Sequence, residues 1–376
     1  MPVPKSVVVQ VNVKRLLVVL LIAVPLLALD MFLVLDHSRE EFTALTGGYL
    51  QTLAENGARQ LGYFVRERVV DLETVARNNQ LRDAVREANQ LSSGRDEQAL
   101  AGELANLNKA WPSLQATPLL SRVLGGNASL FLREYMTLNP AFARLLVTGR
   151  TGRTLAASHK PALYYHGDQA WWINSFRQGQ RGRIDITDAH HDPVGRADSI
   201  ALSAPIPGST AGEVIGVIRG FVDVERLVAG LGLDLQGQVL VVDRDARIIA
   251  ASELGVVLNS EDGSLLSLDS ILKDQSVGQS LIQEGKREAA LVGFASIQLP
   301  TSQPEIDWVV IVARNWKVMS APIEAINLRA LASGFLAIFL VAVVAAYFNV
   351  HRPENLEPLE ELQAEDDQSS TQSGGD

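Results

Sequence analysis

The chain has 376 residues, with 33 basic and 43 acidic side chains and no cysteine. That length leaves room for two or more globular units, and the missing cysteine excludes disulfides, cysteine-ligated zinc and thiol catalysis together. The net charge of −10 is unevenly spread: residues 351–376 hold eight acids against the single base Arg352. The remainder is near neutral and offers no basic surface, which excludes nucleic acid as a partner.

In chain order, the first element is an apolar block at 16–35, broken only by Pro25 and Asp30. About 20 residues of helix cross a hydrocarbon core of roughly 30 Å, so the block has the length of a membrane span. Pro is tolerated in such helices, and Asp30 lies near the outer end. A cleaved signal peptide is the alternative, because Lys14 and Arg15 precede the block. The block is long for that role and no small-x-small cleavage site follows it, which favours an uncleaved anchor.

Residues 38–86 follow a helical pattern. Phe42, Leu45, Tyr49, Leu53, Leu61, Phe64, Val65, Val69, Leu72, Val75 and Ala76 recur at three- and four-residue steps with charges between them. Gly47, Gly48, Gly57 and Gly62 predict a kink or close packing. A second helix is predicted at 97–110. Beyond residue 128 the reading changes to short β-type runs: strands at 143–148, 154–158, 183–187, 199–205 and 213–222, with a helix at 168–178 and another starting at Asp223. The pattern then begins again, with strands at 238–243 and 247–252, a helix at 265–275, and strands at 289–298 and 307–314.

The restart is an internal repeat. LLVTGRTGRTLAASH (145–159) aligns without gaps on VLVVDRDARIIAASE (239–253), with seven identities in fifteen positions. Each copy reads as strand, polar turn, strand, so tandem modules are expected.

A second apolar block at 328–347 contains no charge after Arg329, and a buried soluble helix of that composition is not expected. Lys5, Lys14 and Arg15 before the first span, with no acid among them, place the N-terminus in the cytoplasm. Two spans return the C-terminus to that side and leave everything between them facing outward. The localisation read here is an inner membrane, two-pass, with the main domain periplasmic or extracellular.

Taken together, these features resemble the double Cache domain, the PAS-like extracellular sensor of bacterial chemoreceptors, histidine kinases and cyclases. YYHGDQAWW (164–172) is similar to the family's Tyr-then-Trp binding stretch, and GEVIGVIRGFVDVERL (212–227) to its closing strand and Asp. The resemblance covers roughly residues 38–327. It implies an α+β fold in which a long N-terminal helix carries two tandem PAS-like antiparallel sheets, flanked by two transmembrane helices. The implied division is a cytoplasmic N-terminus at 1–15, a span at 16–36 and an extracytoplasmic double Cache domain at 37–327. That domain comprises a helical stalk at 37–110, a membrane-distal module at 111–230 and a membrane-proximal module at 231–327. A second span at 328–349 and an acidic tail at 350–376 complete it.

In the amino-acid-binding branch of the family, a Tyr and an Arg hold the ligand carboxylate and an Asp holds the ammonium. Carried over, Tyr164 and Trp171 keep the spacing and Asp223 takes the closing Asp position. Asp188, or else Asp185, is the equivalent of a further polar contact. Gln169 stands where the Arg would be, and Trp172 replaces a Tyr. An amide cannot reproduce the bidentate, charge-assisted grip of a guanidinium on a carboxylate, so Arg183 on the neighbouring strand is the expected substitute. The ligand class left open is an amino acid or an organic acid. Two adjacent tryptophans on a helix facing a sheet suit a mostly apolar pocket, and neighbours on a helix point apart, so one of the two is expected to face the ligand.

Asp188, His190, His191 and Asp192 have metal-ligand types, but adjacent histidines do not converge without further ligands, and no metal is expected. No phosphate loop, HExxH pair or GxSxG elbow occurs, so neither catalysis nor a cofactor is expected. After the second block, HRPENLEPLEEL resembles the opening of a HAMP linker and then gives way to an acidic composition that does not pack a core. The expected function is a membrane-bound receptor for a small metabolite, homodimeric by the resemblance, that signals through a separate cytoplasmic or membrane partner. The alternative is a ligand-free scaffold on the same fold.

Overall fold

The computed structural model describes residues 13–94, 97–115, 117–191, 198–223, 227–228, 237–252, 269–284, 287–299 and 306–350. The chain divides into two compact units, one of Met1–Phe42 with Ser320–Asp376 and the other Thr43–Met319.

Two helices enter the first unit. Helix α1 runs Val13–Ala76 and begins in this unit; its apolar residues Leu21, Ile22, Leu26, Phe32 and Leu33 are exposed there. The last helix, Trp316–Val350, brings Phe335, Leu336, Phe339 and Leu340, also exposed. Among the described residues, one helix is long and apolar enough to cross a membrane, Trp316–Val344, with a mean hydropathy of 2.0.

The second unit is α+β. Helix α1 passes unbroken through all four of its glycines and ends at Ala76. The side chain of Asn78 then accepts a hydrogen bond from the Leu81 amide and caps α2 (Asn79–Gln90), so the predicted helix over 38–86 is two helices. The buried stripe of α1 is Leu50, Ala54, Ala58, Leu61, Val65, Val69, Leu72 and Ala76, at three- and four-residue steps. Leu45 and Tyr49, expected on the core face, are exposed instead. Small alanines take the stripe because the helix lies close to the sheets there. Helix α3 is Glu97–Ala110, as predicted. Two more helices, α4 (Pro118–Gly125) and α5 (Asn127–Leu138), precede β1; no element was expected at 118–125, and α5 covers the start of the region read as β-type beyond residue 128, ahead of the first strand named there at 143–148. Packing decides this: Ser129 on α5 donates to the Val123 carbonyl and accepts from the Ala157 amide, tying α5 to α4 and to the sheet.

The distal sheet consists of β1 (Phe142–Gly149), β2 (Thr154–Ala157), β3 (Asp185–His191), β4 (Asp198–Pro207) and β5 (Val214–Asp223). Helix α6 (Ala170–Phe176) lies between β2 and β3. The proximal sheet consists of β6 (Gln238–Val242), β7 (Ile248–Ala251), β8 (Val277–Glu284), β9 (Arg287–Ser296) and β10 (Val309–Asn315), with α7 (Asp269–Asp274) before β8. Strand order is β2-β1-β5-β4-β3 in one and β7-β6-β10-β9-β8 in the other, antiparallel throughout. Strand β8 had no sequence expectation; Gly278, Gln279, Ser280 and Gln283 give it little apolar signal at a sheet edge. The helix expected from Asp223 onward falls outside the described residues except at 227–228, as does the first part of the helix expected at 265–275.

The repeat is the same hairpin built twice. Ser158 accepts from the Leu145 amide through its hydroxyl, and Ser252 accepts from Val239 in the same way, each at 3.0 Å. Both hairpins slip register at the same step, Val147/Thr148 and Val241/Val242. Both turns hold one residue in the left-handed region, Gly152 at φ 78° and Ala246 at φ 58°. The shared serine is therefore one of the residues that closes each hairpin.

The long helix meets the proximal sheet at Gly293. A Cβ there would run into the backbone of Leu50 and Gln51, so only glycine permits the approach. The opposite face of this sheet holds a sealed core of Leu240, Val242, Leu272, Val292, Phe294 and Ile311.

Candidate functional site

The distal sheet turns Leu146, Val217 and Phe221 toward α6, where Trp171, Trp172 and Phe176 pack with them. Alternation along β5 puts Val217, Arg219 and Phe221 on one face, so an arginine stands among apolar residues. Register carries the row across the sheet: Arg219 pairs with Leu146 on β1 and Ser203 on β4, and Ser203 pairs with Asp185 on β3. The next row joins Arg144, Phe221, Ala201 and Thr187.

Leu146, Arg219 and Asp185 of the first row and Arg144, Phe221 and Thr187 of the second line the floor of a cavity of about 610 Å³. Its other walls are the segment through Pro161, Ala162 and Leu163, then His166, Gln169, Trp171 and Asn174. The volume falls within the range of small-molecule sites, about 300–1,000 Å³.

Arg219 is 5% exposed. Its guanidinium lies 4.3 Å from the Trp171 ring centroid and 5.2 Å from that of Phe221, so aromatic rings cover it. One terminal nitrogen, Nη2, donates to Thr187 Oγ1 at a long 3.4 Å, and Nε has no hydrogen-bond partner among the described residues. Arg144 lies over the other ring contact, 4.3 Å from the Phe221 centroid. Burial lowers the pKa of Arg219 to about 9 and that of Arg144 to about 10, which still leaves both charged at neutral pH. Both oxygens of Asp185 are engaged, one by Asn174 Nδ2 at 2.9 Å and the other by Thr187 Oγ1 at 3.4 Å. His166 is buried beside Trp171 and within 3.2 Å of Thr154 Oγ1. Burial first, and the Arg219 charge second, push its pKa down to about 4, so it is neutral at physiological pH.

The residues singled out from sequence separate into groups. Gln169 and Trp171 line the cavity, and so does Asp185, the alternative to Asp188. Trp172 turns away: its indole nitrogen donates to Thr148 Oγ1 at 3.0 Å and its ring stacks on Phe176. One tryptophan of the pair therefore reaches the cavity and the other packs the core. Tyr164 is also a core residue, its ring 5.0 Å from that of Trp111, outside the cavity lining. Arg183 is exposed and Asp223 ends β5; neither lines the cavity. Asp188 lies on β3, with its side chain outside the described residues, as are the side chains of His190 and His191 and all of Asp192.

The guanidinium expected from Arg183 is thus supplied in this cavity by Arg219 and Arg144, which sequence reasoning had not named. The signal was present. In VIGVIRGFVD a single arginine interrupts a run of buried apolar residues at an inward-facing position.

No family model and no curated protein sequence matches the chain. Among solved structures, the chain is similar to the ligand-binding domain of the Campylobacter jejuni chemoreceptor Tlp3 in complex with L-norvaline. Identity is 16% and the TM-score 0.49, covering 75% of this chain and 96% of that one. It is also similar to the ligand-binding domain of the Pseudomonas fluorescens chemoreceptor CtaA in complex with L-leucine, at 14% identity and TM-score 0.45, covering 76% and 99%. A third is that of the Pseudomonas aeruginosa PAO1 amino acid chemoreceptor PctB in complex with L-Arg, at 16% and 0.43, covering 72% and 96%. The order found in this chain, a long helix followed by two five-stranded antiparallel modules, is the order that the double Cache resemblance implies.

Proposed function

We propose that this chain is a two-pass membrane receptor, not an enzyme, whose outward-facing distal module binds a small metabolite and passes the change to a separate partner. The single observation that carries the reading is the distal cavity: about 610 Å³, walled by aromatic and aliphatic groups, with a few buried polar groups converging on it. Gln169 and Trp171, both expected from the sequence, are proposed ligand contacts. The membrane assignment draws on the apolar helix Trp316–Val344 and on the block at 16–35, whose described apolar side chains are exposed. The basic residues Lys5, Lys14 and Arg15 orient both spans with the tail at 350–376 on the cytoplasmic side.

Homodimerisation is part of the same proposal. Tyr49, Tyr63 and Val70 stay exposed on α1 at intervals of seven residues and multiples of it, the spacing of a helix–helix seam. Ligand binding would bias a two-state arrangement of the helices leading to the spans, by as much as the ligand prefers one state over the other.

The test is a thermal-shift screen of the full chain in detergent micelles against amino acids, organic acids and amines. At least one compound should raise the midpoint, and Trp171→Ala should abolish that rise while Trp172→Phe retains it. No shift across the whole panel would leave the ligand-free scaffold as the better reading.

A further inference from the structure

We infer that the distal cavity takes an organic carboxylate lacking an ammonium group, gripped by the in-plane N–H edge of Arg219 with Arg144 beside it. This rests on the receptor reading above and narrows it to a ligand class.

Charge is the first argument. Among the described residues, two guanidiniums and one carboxylate, Asp185, line the cavity; burial holds His166 neutral and also lowers the pKa of His159, the other lining histidine. These described side chains together carry one net positive charge. An anion neutralises it; an amino-acid zwitterion does not. Geometry is the second. Trp171 and Phe221 cover Arg219, yet its Nε–H is buried with no partner among the described residues. A buried donor left unpaired is costly, and a carboxylate approaching in the guanidinium plane accepts from it and from a terminal nitrogen together. The third argument concerns the ammonium. Both Asp185 oxygens already accept hydrogen bonds, and Asp223, which the family resemblance would assign to that task, does not line the cavity. Among the described lining residues an ammonium would enter beside two guanidiniums and meet a single carboxylate, Asp185, that already accepts from Asn174 and Thr187. Pro161, Ala162, Leu163 and Ile186 give the remaining wall an apolar character, which suits a carbon skeleton better than inorganic phosphate or sulfate.

The experiment uses the full chain in detergent micelles with matched pairs that differ in the amine: succinate and L-aspartate, 2-oxoglutarate and L-glutamate, 4-methylpentanoate and L-leucine. Inorganic phosphate and sulfate serve as anion controls. Calorimetric titration should show at least one acid binding about tenfold or more tighter than its amine-bearing partner and than either inorganic anion. Arg219→Gln should remove that binding, Arg219→Lys should weaken it about tenfold because a point charge lacks the fork, and Arg183→Gln should leave it unchanged. If Arg219→Gln does not fold, Arg219→Lys and Arg144→Gln decide the matter. An amino acid that binds as tightly as its acid, or survives loss of the Arg219 guanidinium while Trp171→Ala abolishes it, overturns the ligand class and leaves the receptor reading standing. Tightest binding by phosphate or sulfate overturns the organic class in the same way. No binding by any of these compounds or by the wider panel overturns both.

Discussion

The two sheets share strand order, hairpin chemistry and a register slip at the same step, yet among the described residues the cavity lies against the distal sheet, while the matching face of the proximal sheet carries a packed apolar cluster. One row of side chains shows the contrast. Across the distal sheet the row reads Leu146, Arg219, Ser203, Asp185; across the proximal sheet the paired residues are Leu240, Ile311, Phe294, Gly278. Phe294 is fully buried, and a Cβ on Gly278 would lie 2.8 Å from its ring. Glycine therefore makes room for an aromatic ring at the position that corresponds to Ser203, in a row whose distal counterpart sets Arg219 and Asp185 on the cavity. One backbone scaffold, used twice, carries two different interiors.

The comparison can be broken most forcefully by exchanging its centre. Ile311→Arg would bury a guanidinium among Leu240, Val242 and Phe294 with no counter-charge, at a cost of about 5 kcal/mol or loss of folding. Urea unfolding of the full chain measures it; a loss below about 2 kcal/mol would mean that the proximal core admits water as readily as the distal one. A middle-sized effect should appear in acid. His166 titrates near 4 in the folded chain against an ordinary 6.5. Between those values the unfolded chain binds a proton that the folded chain does not, so stability is present above pH 6.5 and falls as pH drops toward 4. The His166 share amounts to about 3 kcal/mol. His166→Gln should flatten that part of the pH–stability curve, and an unchanged curve would place the acid sensitivity elsewhere. The smallest effect on stability is expected from the reverse exchange, Arg219→Ile. Replacing a buried charge by an aliphatic of suitable shape is often neutral or stabilising, so unfolding should move by less than about 1 kcal/mol. A loss of about 3 kcal/mol would show that Arg219 holds the module together rather than serving its cavity.

These contrasts also explain what the sequence disclosed. The hairpins were legible because their closing residues, Ser158 and Ser252 above all, act locally and recur at one spacing. The two helices at Pro118–Gly125 and Asn127–Leu138 were not, since no local pattern marks them and they are fixed by packing against β1 and β2. A small part of the cavity was visible in the Gln169–Trp171 stretch, where helical geometry alone predicts that two neighbouring tryptophans diverge. Arg144 and Arg219 were missed because an arginine in a strand is ordinarily assigned to the solvent side. Only the shared parity of Val217, Arg219 and Phe221, together with pairing across three strands, reveals that the charge points inward. The position of Asp223 outside the lining likewise depends on where β5 ends, which pattern alone does not fix.

The seat of α1 on Gly293 puts main chain directly against main chain. A joint cushioned by long side chains would absorb a small displacement in rotamer changes; this one has nothing to compress. A displacement of the proximal sheet at this point is therefore passed to α1 main chain to main chain, with no side chain between them to take it up.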